Sequence, residues 1–304
     1  MAMNRAQFRK QLQEGLNTVF GMEYKRYPEE WRRIFAVETS DKAWEEEVLM
    51  VGLGGAQTKA EGAGVAYDAG AESFVARYNH ETIALAFAIT EEAEEDGLYG
   101  KLGAKYSRSL ARGMQHTKEV KGAAILNNGF STAYPGGDNK PLFATDHPLW
   151  GGGSLANMLT TAADLSETAL ENACIAIGDW TDDRGIPLEA IAQRLIVHTA
   201  QQFTAERILY SPGRTGTADN DINALKNMGM IPGGCFVNHR LSDPDAWFLI
   251  TDIMDGLKHF VRKRISRGME GDFETGNLRY KARERYSFGW SNWRGAFASA
   301  GAAA

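Results

Sequence analysis

LRYKARERYSF, residues 278–288, alternates strictly. Arg279, Lys281, Arg283 and Arg285 fall on one side, and Tyr280, Ala282, Tyr286 and Phe288 on the other. A period of two puts successive side chains on opposite faces of an extended chain, so this is a strand with one basic and one apolar face. Glu284 breaks the rule, an acid on the apolar side. Residues 259–267 repeat the basic, strand-forming character, and residues 268–276 supply a turn. The pair reads as a long antiparallel ribbon.

Upstream, Thr90 is placed to cap a helix, with Glu91, Glu92, Glu94, Glu95 and Asp96 in its first turns and Lys101 to Lys121 further along. Acid first and base last suits the helix dipole. Leu98, Leu102, Tyr106, Leu110 and Met114 mark one face of a helix over residues 90–126, about 55 Å long at its ordinary rise. Gly97, Gly100, Gly103 and Gly113 weaken it by roughly 1 kcal/mol each, and mark either close packing or a bend. Before it, residues 34–89 are extended in character, with a glycine- and alanine-rich stretch at 52–70 between apolar segments at 48–53 and 73–89. The simplest account is a projecting hairpin with a mobile tip. Residues 1–35 open with Phe8, Leu12, Leu16, Val19 and Phe20 at helical steps. That helix docks on its own domain or on a neighbour.

Between helix and ribbon, residues 130–165 are loop-rich. Residues 165–180 predict an amphipathic helix capped by Asp164 or Ser166, with Leu170, Cys174 and Ile177 on one face. A buried strand follows at 194–199, a helix at 201–209, a polar loop at 219–227, and strands at 235–238 and 247–250.

Bulk properties narrow the class. The 304 residues are 43% hydrophobic and 24% charged, as in globular proteins. No apolar run reaches the roughly 20 residues a bilayer needs, the N-terminus lacks the apolar core of a secretion signal, and two cysteines make no disulfide framework. A reducing cytoplasm is the expected site of synthesis. The net charge of −6 hides an asymmetry: residues 256–304 hold ten Lys/Arg against four Asp/Glu, a balance of +6, which leaves −12 for residues 1–255. One part of the molecule is thus suited to attract another part of a neighbouring copy.

Candidate chemistry is thin. Gly152-Gly153-Ser154-Leu155-Ala156 approximates a nucleophile elbow but follows a turn, not a buried strand. Asp219, Asp221 and Asn223 begin like a calcium loop, yet Ala224 and Met230 stand where Gly and Glu are needed. No two of the six histidines are spaced for a zinc helix. Asp146-His147 reads as a loop-orienting pair before a proton relay, and Gly52, Gly54 and Gly55 lack the rest of a phosphate loop. No catalytic residue, cofactor or metal is assigned. The basic ribbon is different, because four like charges on one strand face call for a partner. Arg279, Lys281, Arg283 and Arg285, with Glu45, Glu46, Glu47, Glu91 and Glu92 as acidic counterparts, are the candidate contacts between subunits. Such contacts are preferred over DNA, since a nucleic-acid reader is more often basic as a whole.

An ordered set of motifs supplies a name for this architecture. DHPLWGGG (146–153), DDRGIP (182–187), ADNDINALK (218–226), LSDPDAWFL (241–249) and RYSFGWSNWRGAF (285–297) together resemble Mu-like phage major head subunits over residues 143–301. The resemblance implies an α+β fold of the Hong Kong 97 type. Its parts would be an N-terminal arm (1–35), an extended-loop hairpin (36–82), a peripheral domain with a long spine helix (83–130), an axial domain (131–255) and a ribbon returning to the peripheral domain (256–304). It implies a virion protein made in the host cytoplasm, assembling with itself into hexamers and pentamers of a shell around double-stranded DNA, with a portal and in some relatives a decoration protein. Some relatives carry a scaffolding segment before the arm; none is read here, so a separate scaffold protein is expected and cleavage of this subunit is not. The alternatives are a nanocompartment shell of the same fold, or a cytoplasmic enzyme using the 146–153 loop.

Overall fold

The ribbon is the axis of one half of the molecule. In the computed structural model, which describes residues 5–90, 99–214, 221–272 and 276–302, it has two long antiparallel strands. To place them among the other elements, α1 is Arg5–Tyr24, β1 Ala36–Thr39, β2 Trp44–Val51, β3 Ala71–Asn79, β4 Glu81–Ile89 and α2 Tyr99–Asn127. Two short strands, β5 (His147–Pro148) and β6 (Ser154–Leu155), precede α3 (Glu167–Gly178), β7 (Ala192–Val197), α4 (Gln202–Tyr210), α5 (Ala224–Met228), β8 (Cys235–Val237) and β9 (Trp247–Thr251). The ribbon is β10 (Leu257–Gly271) with β11 (Leu278–Trp290), and β12 (Ala296–Ser299) closes the chain. The ribbon sheet runs β1-β10-β11-β4, with β1 parallel to β10 and the other pairs antiparallel.

The alternation read in the sequence is the burial pattern of β11: Leu278, Tyr280, Ala282, Glu284 and Tyr286 are buried, while Arg279, Lys281 and Arg283 are exposed. The apolar face packs on α2 and α1 through Leu16, Phe20, Leu110, Ala111 and Met114. The helix differs from its expected stripe. Leu110 and Met114 are buried, but Leu102 and Tyr106 are exposed, and Leu98 with the acidic first turns lies outside the described residues. The buried line instead passes through Gly103, Ser107, Leu110, Met114, Lys118, Gly122 and Leu126. Small residues win these positions because other elements approach closely. A Cβ on Gly103 would stand 3.4 Å from Leu16, and one on Gly122 3.0 Å from Trp31, while the Ser107 hydroxyl donates to the Leu16 carbonyl at 3.0 Å. For these glycines, close packing is the answer.

The hairpin forms as expected, β2 against β3 with residues 52–70 between them. The apolar stretch after it is two strands, not one: β3 stays in the hairpin and β4 joins β11. They part at His80, whose ring bridges the hydroxyls of Ser40 (2.9 Å) and Ser287 (3.0 Å). Residues 31–39 likewise divide, into a tight turn at Trp31–Arg33 and β1.

The second sheet has the order β12-β9-β7-β8. Leu195, Ile196 and Val197 of β7 are fully buried, as for a central strand covered on both faces. The helix at 165–180 is α3, capped by Ser166, with Leu170, Cys174 and Ile177 inward as read. The polar loop at 219–227 is corrected within its described part. Asn223 caps a five-residue helix, accepting from the Lys226 amide, and Gly229 ends it in the left-handed region. Asn223 also donates to the Ile208 carbonyl at 2.5 Å, so it organises a corner and not a calcium loop. Trp31, Phe35, Leu126, Phe143, Phe248 and Leu257 form a core joining the two sheets.

Candidate assembly surfaces

On the outward face of β11, register sets the neighbours of each basic residue. Arg279, Lys281, Arg283 and Arg285 face Ala88, Ala86, Ala84 and Thr82 of β4 on one side, and Glu270, Gly268, Ser266 and Lys263 of β10 on the other. Gly268 and Ala86 beside Lys281, and Ser266 and Ala84 beside Arg283, leave these two cations standing above the sheet. Arg279 is ion-paired with Asp272; Lys281 and Arg283 have no acidic partner among the described residues. Arg285 is only partly exposed.

Glu284, the exception, explains itself on the other face. It is almost wholly buried, ion-paired with Lys118 of α2 at 3.2 Å, and receives the Tyr24 hydroxyl of α1 at 3.4 Å. Burial pushes its carboxyl above the usual range, with Lys118 pulling the other way. Lys118 also sits over the rings of Trp31 and Tyr286. Beside it, both oxygens of buried Glu119 accept backbone N–H groups, from Glu30 at 2.9 Å and Trp31 at 3.0 Å. Burial lifts the Glu119 carboxyl to about 7 against the pull of those two bonds. Glu30 in turn pairs with His239 (2.7 Å) and Arg240 (3.0 Å), so one relay ties the segment after α1 to α2 and to the chain following β8.

The acidic candidates of β2 are occupied at home. Glu47 pairs at 2.5 Å with Lys258, whose side chain is 6% exposed and also meets Glu38 (2.9 Å) and Asp255 (2.8 Å). Burial alone would lower the Lys258 pKa, but hydrogen bonds to Asp255, Glu47 and Glu38 outweigh it and raise it. Glu47 also accepts from Ser291, which contacts the Tyr78 hydroxyl. Glu45 bonds Lys42 at 3.1 Å, and hydrogen bonds from Ser40 and Lys42 hold its carboxyl below the usual range. Glu46 lies on the opposite face of the hairpin, 3.8 Å from Arg77, which stacks over Trp44. Within one subunit none of these ion pairs involves the basic face of β11. Glu91 and Glu92 lie outside the described residues. Lys258, Glu119 and Glu30 escaped the sequence reading because no spacing marks charges buried by distant elements.

The loop at 146–153 is structural. Asp146 pairs with Lys140, while fully buried His147 bonds Asp138 (2.6 Å) and Asn157 (3.1 Å) and stacks on Trp293 at 4.4 Å. The Asn157 amide donates to the carbonyls of Leu142, Trp293 and Ala296. The acid that holds this imidazole is Asp138 and not the expected Asp146, and the packing orients loops. Ser154 bonds no histidine among the described residues, and no cluster of three or more potential ligands is poised for a metal among them. Burial pushes the thiols of Cys174 and Cys235 up to about 11, which leaves them unreactive. No helix is long and apolar enough to cross a membrane among the described residues.

Apolar surface is exposed on the outward side of the hairpin, at Trp44, Val48, Met50 and Val75, and in its loop at Leu53, Val65 and Tyr67. Such a strip beside a charged sheet face is what an association surface requires.

A sequence profile described as phage capsid protein matches residues 75–299. No curated protein matches the sequence. Among solved structures, the chain is similar to a virus-like particle from Pyrococcus furiosus (TM-score 0.54, 10% identity, covering 94% of this chain and 98% of that one). It is similar to the capsid of a native GTA particle (TM-score 0.54, 13% identity, 90% of each chain) and to the procapsid of bacteriophage JBD30 (TM-score 0.50, 18% identity, 98% of this chain and 76% of that one).

Proposed function

The chain belongs to the phage capsid protein family, and from that premise we propose that it is the major capsid protein of a tailed double-stranded DNA phage. Its fold is that of the Hong Kong 97-like capsid proteins. The match over residues 75–299 carries the reading and favours a genome-enclosing head over a nanocompartment shell. Its place is the virion and its role structural, with no catalytic step. The Mu-like subgroup rests on the motifs alone. The division into arm, hairpin, peripheral and axial domains follows the order of the elements, and a separate scaffold protein, portal and decoration protein follow from the resemblance.

Assembly multiplies modest contacts. Each copy presents a basic sheet face, an apolar hairpin strip and an acid-rich remainder, and a closed shell joins these among many neighbours. Because Glu45 and Glu47 are engaged within their own subunit, Lys281 and Arg283 meet other acids of a neighbour, with Glu46 on the open side of the hairpin as one candidate. Electron microscopy of the purified protein tests the reading. Capsomers or hollow icosahedral particles are expected; a stable monomer with no tendency to assemble ends it. Arg283→Glu is expected to block particle formation while the subunit stays folded, and normal particles from that variant refute the role given to the ribbon.

A further inference from the structure

One contact of the DDRGIP turn belongs neither to the core nor to the basic face. Arg184 lies between the root of the hairpin loop and the second half of the molecule. Its guanidinium donates to the Ala69 carbonyl at 2.7 Å and the Gly52 carbonyl at 3.3 Å, the two ends of the 52–70 loop. It lies 3.8 Å from Asp68 and stacks over Trp150 with its central carbon 5.1 Å from the ring centroid. Asp68 extends the arrangement into the loop, accepting the Gly54 and Ala69 amides at 2.7 and 2.8 Å.

The platform beneath Arg184 is firm. Asp182 accepts the Arg184 and Ile186 amides, both at 2.8 Å, and Gly185 turns the chain at φ +82°. Asp183 pairs with buried Arg294 at 3.4 Å. Trp150 belongs to the turn beside it, where a Cβ on Gly151 would come within 3.1 Å of the Asp183 carbonyl. A planar fork on a fixed turn, backed by an aromatic face, is suited to hold two carbonyls at once, which a lysine ammonium on a flexible stem does not do equally.

We propose that Arg184 is a positioning residue for assembly: by clipping both ends of the glycine-rich loop to the axial half, it sets the direction in which that loop leaves the subunit. The loop carries Leu53, Val65 and Tyr67, all strongly exposed, and a glycine-rich segment has no stiffness of its own with which to aim them. This rests on the assembly reading above.

The test uses the full chain with Arg184→Ala and Arg184→Lys. Chymotrypsin cleavage at Tyr67, which is 98% exposed, is timed on unassembled subunits, and particles are then imaged. Loss of the clip is expected to speed cleavage about tenfold in Arg184→Ala, and less in Arg184→Lys, with the thermal midpoint nearly unchanged. Particles from Arg184→Ala should be misshapen or of mixed size, with partial rescue by lysine. Unchanged cleavage overturns the clip, and faster cleavage with normal particles overturns its role in assembly. If wild-type subunits form no particles, the assembly reading fails, and with it the proposal, even where cleavage shows the contact to be real.

Discussion

The two sheets of this molecule are finished to different degrees. The β12-β9-β7-β8 sheet buries Leu195, Trp247, Leu249 and Phe297 within a core that also takes in α3 and α4. The ribbon sheet buries one face on α1 and α2 and leaves the other to Arg279, Lys281 and Arg283. The first satisfies itself; on the reading proposed above, the second is completed by contacts beyond the subunit. Substitutions in the two should therefore differ in kind: the first should cost stability, and the outward face of the second should cost assembly.

The largest effect on folding is expected at Phe297→Ala, where a fully buried ring is lost from the self-contained sheet. Chemical denaturation should show a loss of about 4 kcal/mol. Lys118→Ala probes the inward face of the ribbon sheet and strands Glu284 without its cation. A loss of about 3 kcal/mol at neutral pH is expected. It should shrink as the solution is acidified and Glu284 takes up a proton, and an undiminished loss at low pH would contradict the pairing.

Glu119 gives a smaller, pH-shaped effect. Its carboxyl titrates near 7 when folded against an ordinary value near 4.5, so the folded state holds the proton more tightly. The stability it contributes is present below about pH 4.5 and is lost as pH rises through 7, by about 2.5 kcal/mol between pH 5 and 8. Glu119→Gln should flatten that slope in denaturation curves taken from pH 5 to 8, and an unaltered slope rules Glu119 out as its source. Smallest for folding is Arg283→Glu, within about 0.5 kcal/mol for an exposed residue, although its effect on particle formation should be complete. If it unfolds the subunit instead, the two faces of the ribbon are not separable.

Legibility in the sequence tracked the range of the interactions. The alternation of 278–288 and the helix at 165–180 were readable because each records one burial direction at a fixed period. The spine helix was readable as a helix but not in its facing. Leu102 and Tyr106 look like core by hydrophobicity, yet closeness to α1 selects Gly103 and Ser107. The short helix after Asn223 was missed because its cap and its polar residues read equally well as a loop. Of the candidate contacts, the exposure of Arg279, Lys281 and Arg283 was readable by pattern, while no pattern marked that Glu45 and Glu47 pair with Lys42 and Lys258 of their own subunit.

Local chemistry alone determined the basic comb on one strand face, the glycine-rich hairpin tip, the loop role of His147 and the motif set that points to a shell subunit. Tertiary structure decided which carboxylates are occupied, that Glu284 is a buried counter-ion, that Glu119 joins the segment after α1 to α2, and that Arg184 reaches the hairpin root. The reason is physical. A repeating pattern reports solvent on one side and core on the other over a few residues. An ion pair between residues 118 and 284, or a bond between 184 and 69, exists only once distant segments have been brought together.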